Sequence, residues 1–145
     1  DKDGTLLDFN YALGAGFAVV GTVLSEGHIV LTVDTQTPCL ALYPLPEWER
    51  IESDVQALPA LNPAVKRFQR LVLGYASDLQ LDGSGRVLVP PALREYAQLD
   101  RRAVLVGQGN KLEIWSEDLW QQECAAALFA DSSGELPAEL MQLNL

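Results

Sequence analysis

The stretch LDGSGRVLVPPALREYAQLD, residues 81–100, holds the residues best suited to chemistry in this 145-residue chain. Asp82 and Arg86 stand four apart, with Gly83 and Gly85 between them. Glycine accepts positive φ, so this segment predicts a tight turn in which Gly83 and Gly85 supply that conformation where it is needed. An arginine directly behind such a turn presents a planar fork with little side-chain freedom left to lose, which suits a guanine edge or a phosphate. Asp82 suits a supporting part, its carboxylate accepting backbone or guanidinium hydrogen bonds that fix the turn. The competing reading of Arg86 is a surface ion pair. Elsewhere the residue types offer little catalysis. His28 is the only histidine and stands just before a strand. No Ser-His-Asp arrangement, phosphate loop or metal-ligand spacing is recognisable, and GAGFAVVG lacks the strand-then-helix context of a dinucleotide site. Cys39 and Cys124 match no metal or redox spacing, which predicts a reduced, cytosolic setting. The expectation is therefore no catalytic residue, no metal and no cofactor.

The charge distribution supports a polyanion partner in spite of the total. The formal net charge is −10, with 20 acids against 10 bases. Residues 62–102 run the other way: seven bases (Lys66, Arg67, Arg70, Arg86, Arg94, Arg101, Arg102) face four acids. Phosphate binding depends on the local field, so an acidic total does not exclude it. Arg86, Arg94, Arg101 and Arg102 are the candidate DNA contacts, and Lys66, Arg67 and Arg70 candidate phosphate contacts.

The elements that must position these residues repeat. IVLTVDTQTPCLALYPLPEWERIE and RAVLVGQGNKLEIWSEDLWQQEC each read as strand, turn, strand, helix, and Leu40, Leu42, Tyr43 and Trp48 fall on Leu112, Ile114, Trp115 and Trp120 at an offset of 72. In the first helix Trp48, Ile51, Val55 and Leu58 form one stripe; the second opens on Ser116 as N-cap with acids in its first turn. Between the units, NPAVKRFQRLVLGYASD predicts a helix with Asn62 as N-cap and Pro63 at its first position. Val65, Phe68, Val72 and Tyr75 share its apolar face, with Lys66, Arg67 and Arg70 on the other, as a solvated face or a phosphate-contacting stripe. RVLVP predicts a short strand that Pro90 and Pro91 end, opening the helix ALREYAQL. The apolar run YALGAGFAVVGTVL is about five residues too short to span a bilayer and lacks a basic leader, so no membrane role is expected. The chain opens on Asp1 rather than Met, from which the natural start is expected to lie upstream.

The arrangement DGSGRVLVPPALREYA…AVLVG…KLEIW resembles the second SpoVT/AbrB-type domain of the MraZ family of bacterial transcriptional regulators of the division and cell-wall gene cluster. PCLALYPLPEWERIE and NPAVKRFQRLVLGYASDLQLDGSGR resemble the family's first-domain end and inter-domain linker, so the likeness runs from about His28 to Trp120. The resemblance implies an α+β fold in which two SpoVT/AbrB-like halves form a swapped-hairpin β-barrel with flanking helices. On that basis residues 1–61 are the first half, with 1–27 atypical. Residues 62–77 are a helical linker, 78–128 the second half and 129–145 a flexible C-terminal tail. The resemblance also implies a ring-shaped homo-oligomer that binds short direct repeats in double-stranded promoter DNA, through an Asp-x-x-x-Arg motif in each half. The second motif is intact as Asp82 and Arg86. The first should fall within residues 1–13, where Asp1–Thr5 and Asp8–Ala12 are the two phasings, and neither ends in Arg.

DKDGTLLDFN also resembles the first motif of the haloacid-dehalogenase phosphatases, which would make Asp1 a nucleophile and Asp3 a general acid beside Mg²⁺. That motif must follow a buried parallel strand, and no later Lys or paired Asp cluster completes it, so an acidic turn is expected instead. The leading expectation is a cytoplasmic, nucleoid-associated, sequence-specific DNA-binding regulator acting as a homo-oligomer. The alternative is an oligomeric scaffold or interaction module that has lost DNA binding along with its first motif.

Overall fold

The computed structural model describes residues 6–8, 26–59, 61–100, 102–129 and 138–143. YALGAGFAVVGTVL, Asp1, Asp3 and Arg101 lie outside them. The elements are β1 (Leu6–Asp8), β2 (His28–Val33), β3 (Leu40–Pro44), α1 (Leu45–Gln56), α2 (Pro63–Gly74), β4 (Ser77–Gln80), β5 (Arg86–Leu88), α3 (Pro91–Tyr96), β6 (Ala103–Gly107), β7 (Leu112–Ser116), α4 (Glu117–Phe129) and α5 (Ala138–Met141). The fold is mixed α+β. Five antiparallel strands form a sheet in the order β4-β2-β3-β7-β6, and β1 pairs with β5 in a separate antiparallel ribbon. Among the described residues this sheet is open rather than closed into a barrel: β4 and β6 are its two edges.

Two pairings carry an internal two-fold. β3 and β7 cross through Ala41 opposite Glu113, with Leu40 opposite Ile114 and Leu42 opposite Leu112. Ala41 thus faces its own counterpart at the offset of 72, and Leu40 and Leu42 each face the counterpart of the other. β1 and β5 cross in the same manner through Leu7 opposite Val87, with Leu6 opposite Leu88 and Asp8 opposite Arg86. The corresponding offset there is 80, so the first unit carries eight more residues between its two crossing points than the second.

Strand alternation divides the interior into two layers. On one face Ile29, Leu31, Val33, Leu40, Leu42, Leu112 and Ile114 pack against Val87, Val89, Leu93, Ala97 and Leu99 from β5, α3 and the chain after it. On the other face Val30 packs with Trp48 of α1 and Val72 of α2, with Tyr43, Ile51 and Leu73 beside them. The sheet therefore separates the β5–α3 layer from the α1–α2 layer.

Local chemistry explains the helix ends. The Asn62 side chain accepts from the Ala64 N–H at 2.9 Å, with Pro63 at the first helical position. Ser116 Oγ accepts from the Leu119 N–H at 3.1 Å, and Glu117 and Asp118 occupy the first turn of α4. Thr32, buried on β2, donates from Oγ1 to the Val72 carbonyl at 2.6 Å. That carbonyl lies in the last turn of α2, where backbone acceptors lack intrahelical partners.

Two expectations need correction. The inward side of α2 is Val72 with half-buried Val65, Gln69 and Leu73, whereas Phe68 is 37 % exposed. Gln69 takes the inner place because its Nε2 donates to the carbonyls of Val55 (2.8 Å) and Leu58 (3.3 Å) at the end of α1. Leu58 falls beyond that end and is exposed, so the α1 stripe stops at Val55. In the C-terminal segment, Ala138–Met141 form a helical turn whose Leu140 and nearby Leu143 face solvent.

Candidate nucleic-acid interface

The 82–86 turn is closed almost wholly by Asp82. Its Oδ1 accepts from the Ser84 N–H at 2.8 Å and the Arg86 N–H at 2.9 Å. The Asp82 N–H donates to the Arg86 carbonyl at 2.8 Å, and its carbonyl accepts from the Gly85 N–H at 3.1 Å. Both backbone polar groups of Arg86 are thus held by one residue. Gly85 adopts φ +78°, which a side chain would strain. Gly83 is not in that region, and a Cβ there would meet open space. Behind the turn, the Leu81 N–H donates to the Gly27 carbonyl at 2.7 Å, tying it to the start of β2.

β5 orients the arginine. Val87 is buried and Arg86 and Leu88 are exposed, the alternation of a strand with one face on the core. Arg86 therefore lies on the outer face of the β1–β5 ribbon, in register with Asp8. α3 continues the same layer. Its Leu93 is buried and its Arg94 half-buried, with the Arg94 carbonyl accepting from the Leu99 N–H at 2.9 Å. Gln98 takes φ +55° to turn the chain back so that Leu99 is buried. The Tyr96 hydroxyl donates to the Asp34 carbonyl at 2.6 Å and its ring packs on Tyr75 at 5.8 Å, which fixes α3 against the β2–β3 link.

The other basic candidates are placed elsewhere. Arg102 pairs with Glu117 Oε2 at 3.7 Å and borders a cleft shared with Asp100, Glu117 and Asp118, a negative setting that opposes phosphate. Lys66, Arg67 and Arg70 are exposed on α2, in the layer on the far side of the sheet from Arg86. The structure brings Arg86 and Arg94 into one layer and separates the α2 bases from them.

A cluster that the sequence did not signal joins the two units. Asp34, Cys39 and Glu113 place ligand-type atoms within 4.8 Å of one another. Each already has work in the fold. Asp34 Oδ1 accepts from the N–H groups of Gln36 (2.8 Å) and Thr37 (3.2 Å), and its Oδ2 lies 3.7 Å from the Lys111 ammonium. Glu113 accepts from the Trp115 indole at 3.1 Å. Burial pushes the Cys39 thiol up to about 12. The Lys111 ammonium beside Asp34 adds a positive charge that opposes a cation there. The lone His28 bonds through Nε2 to Asp78 across β2 and β4. No helix among the described residues is long and apolar enough to cross a membrane.

An α+β chain with two hairpin–helix units around a shared antiparallel sheet, entered through a crossed ribbon that carries an Asp-braced arginine, defines a narrow structural class. Comparison with known proteins agrees: the chain belongs to the MraZ family. The family described as "MraZ protein, putative antitoxin-like" matches residues 72–143. A protein of Halorhodospira halophila is 54 % identical over 122 residues, covering 83 % of this chain and 80 % of its own length. One from Pseudomonas fluorescens SBW25 is 54 % identical over 122 residues (83 % and 81 %), and one from Alkalilimnicola ehrlichii 50 % over 122 residues (84 % and 81 %). All three are named "Transcriptional regulator MraZ".

Proposed function

We propose that this chain is a sequence-specific DNA-binding transcriptional regulator that acts in the cytoplasm, at the nucleoid, as a homo-oligomer on repeated promoter boxes of the division and cell-wall gene cluster. The observation that carries this reading is the outward-facing Arg86, whose own N–H and carbonyl are both bonded to Asp82. A guanidinium fixed at its base is pre-organised for bidentate contact with a guanine O6/N7 edge, and Arg94 in the same layer supplies a phosphate contact. One such contact contributes about 1–3 kcal/mol of base discrimination, too little for a single subunit to search a genome. Repetition around an oligomer against repeated boxes raises avidity without new chemistry. The names of the relatives support the regulatory role, and the crossed β1–β5 pairing supports the swapped-hairpin reading, with residues 1–61 and 78–128 as the two halves.

The second reading, an oligomeric scaffold without DNA binding, is favoured by one observation. By the two-fold of the ribbon, the place of Arg86 in the first unit is taken by Leu6. A gel shift on the promoter upstream of the protein's own gene separates the two. The regulator gives a sequence-specific, salt-sensitive shift that Arg86→Ala removes, and a full-length protein that gives none is the scaffold.

A further inference from the structure

We propose that the groove between α1 and α2 is a binding site for a small phosphorylated ligand carrying at least two phosphates, separate from the DNA-binding layer and independent of that reading. The groove has a volume of about 500 Å³, within the range of small-molecule sites, and Gln56, Lys66, Gln69, Arg70 and Leu73 line it. Lys66 and Arg70 are one helical turn apart, so their side chains converge on the same space. Residues 62–74 contain three bases and no acid, in a chain with 20 acids and 10 bases. Arg50, Arg102 and Lys111 each pair with a carboxylate. Lys66 and Arg70 have no ion-pair partner among the described residues, and an anion is the group they lack.

The walls are already fixed. The two hydrogen bonds of Gln69 to the end of α1 lock the helices together, so closing the groove around a ligand requires little ordering. The Gln56 amide adds donor and acceptor capacity and Leu73 an apolar floor. No acid among the described residues lines the groove; among the acids of α1, Glu47 and Asp54 pair with Arg50 and Glu47 also bonds Asn110. A duplex docked on Arg86 is on the other side of the sheet and cannot reach this groove.

The test titrates the full-length protein, without DNA, with ADP, pyrophosphate and adenosine, and follows backbone amide resonances. ADP and pyrophosphate are expected to shift Gln56, Gln69 and Gly74, with adenosine far weaker and K66A/R70A reducing ADP affinity by about tenfold or more. Arg94→Ala is expected to leave that affinity unchanged. No shift at millimolar ADP overturns the proposal, as does equal binding of adenosine or an equal loss in Arg94→Ala, which would mean diffuse charge attraction.

Discussion

Tyr43 with Trp48 in the first unit, and Trp115 with Trp120 in the second, are the same aromatic pair at an offset of 72, their ring centroids 5.9 and 5.6 Å apart. Around that shared frame the two units differ in what covers them. Trp48 is buried under Val72 of α2, whereas Trp120 remains half-exposed. Thr32 of β2 anchors α2 by its hydroxyl; its counterpart in β6 is the half-buried Val104. Cys39 is fully buried, and its counterpart Lys111 is an ammonium bound to Asp34. Arg86 opens β5, and its counterpart in β1 is Leu6. The duplication preserves the hairpin and its helix, which both units need to fill one core, and varies the surfaces, where each unit meets something different.

The largest effect tests the shared frame. Leu40 and Leu112 are counterparts at the offset of 72, and both are fully buried. Leu40→Ala and Leu112→Ala are each expected to cost about 2–5 kcal/mol in denaturant unfolding, because both leave a cavity in one continuous core. Costs differing by more than about 2 kcal/mol would break the two-fold picture, since the cavity term alone sets that spread.

Thr32→Val makes the first unit resemble the second. Loss of the buried hydroxyl leaves the Val72 carbonyl without that donor and is expected to cost about 1–3 kcal/mol. The reverse change, Val104→Thr, is expected to stay within about 0.5 kcal/mol because that position reaches water. Equal effects would mean that α2 does not depend on the β2 anchor.

Cys39 sharpens the contrast through pH. The folded thiol keeps its proton to about 12 because burial penalises the thiolate, against an ordinary value of 9.0. Above pH 9 the unfolded chain releases that proton first, so the folded state binds more protons and stability falls as pH rises toward 12. Urea unfolding of the wild type should show this decline above pH 9, and Cys39→Ala should make it shallower, the half-buried Tyr43 and Tyr96 hydroxyls, also raised by burial, keeping the remainder. At neutral pH an alkylating reagent should modify the half-exposed Cys124 well before Cys39.

Which of these differences the sequence announces follows from the range of the interactions. The β3–α1 and β7–α4 units are legible because strand alternation, Pro and Ser caps and the offset of 72 are all local patterns. β4 is not: SDLQ contains no β-branched or aromatic residue and becomes a strand only because β2 has an open edge beside it. The inward turn of Gln69 is equally hidden, since helical spacing gives a polar side chain no reason to face in until the end of α1 supplies two carbonyls. For the candidate site, the Asp82–Arg86 turn is readable from its glycines and spacing. The separation of Lys66, Arg67 and Arg70 from Arg86 is not, because it arises from which face of β2 each layer covers. The place of the first motif also depended on a long-range pairing: neither Asp1–Thr5 nor Asp8–Ala12 puts its fourth-spaced residue at Leu6, where the ribbon's register puts it.

That register turns the missing first motif into the finest test of the comparison. If Leu6 stands where Arg86 stands, Leu6→Arg restores a second guanidinium per subunit at the two-fold-related place. An added phosphate contact steepens the dependence of log affinity on log salt by about one. A base contact would instead add about 1–3 kcal/mol of discrimination on the promoter over random DNA. Unfolding stability is expected to change by no more than about 0.5 kcal/mol for this substitution at the end of a short ribbon. The double variant L6R/R86A decides whether the two places are equivalent. Equivalence predicts that it recovers part of the shift that Arg86→Ala loses. A variant that steepens the salt dependence only alongside an intact Arg86 would mean that Leu6 lends general charge to the ribbon and that the Asp82 brace is what makes an arginine a reader.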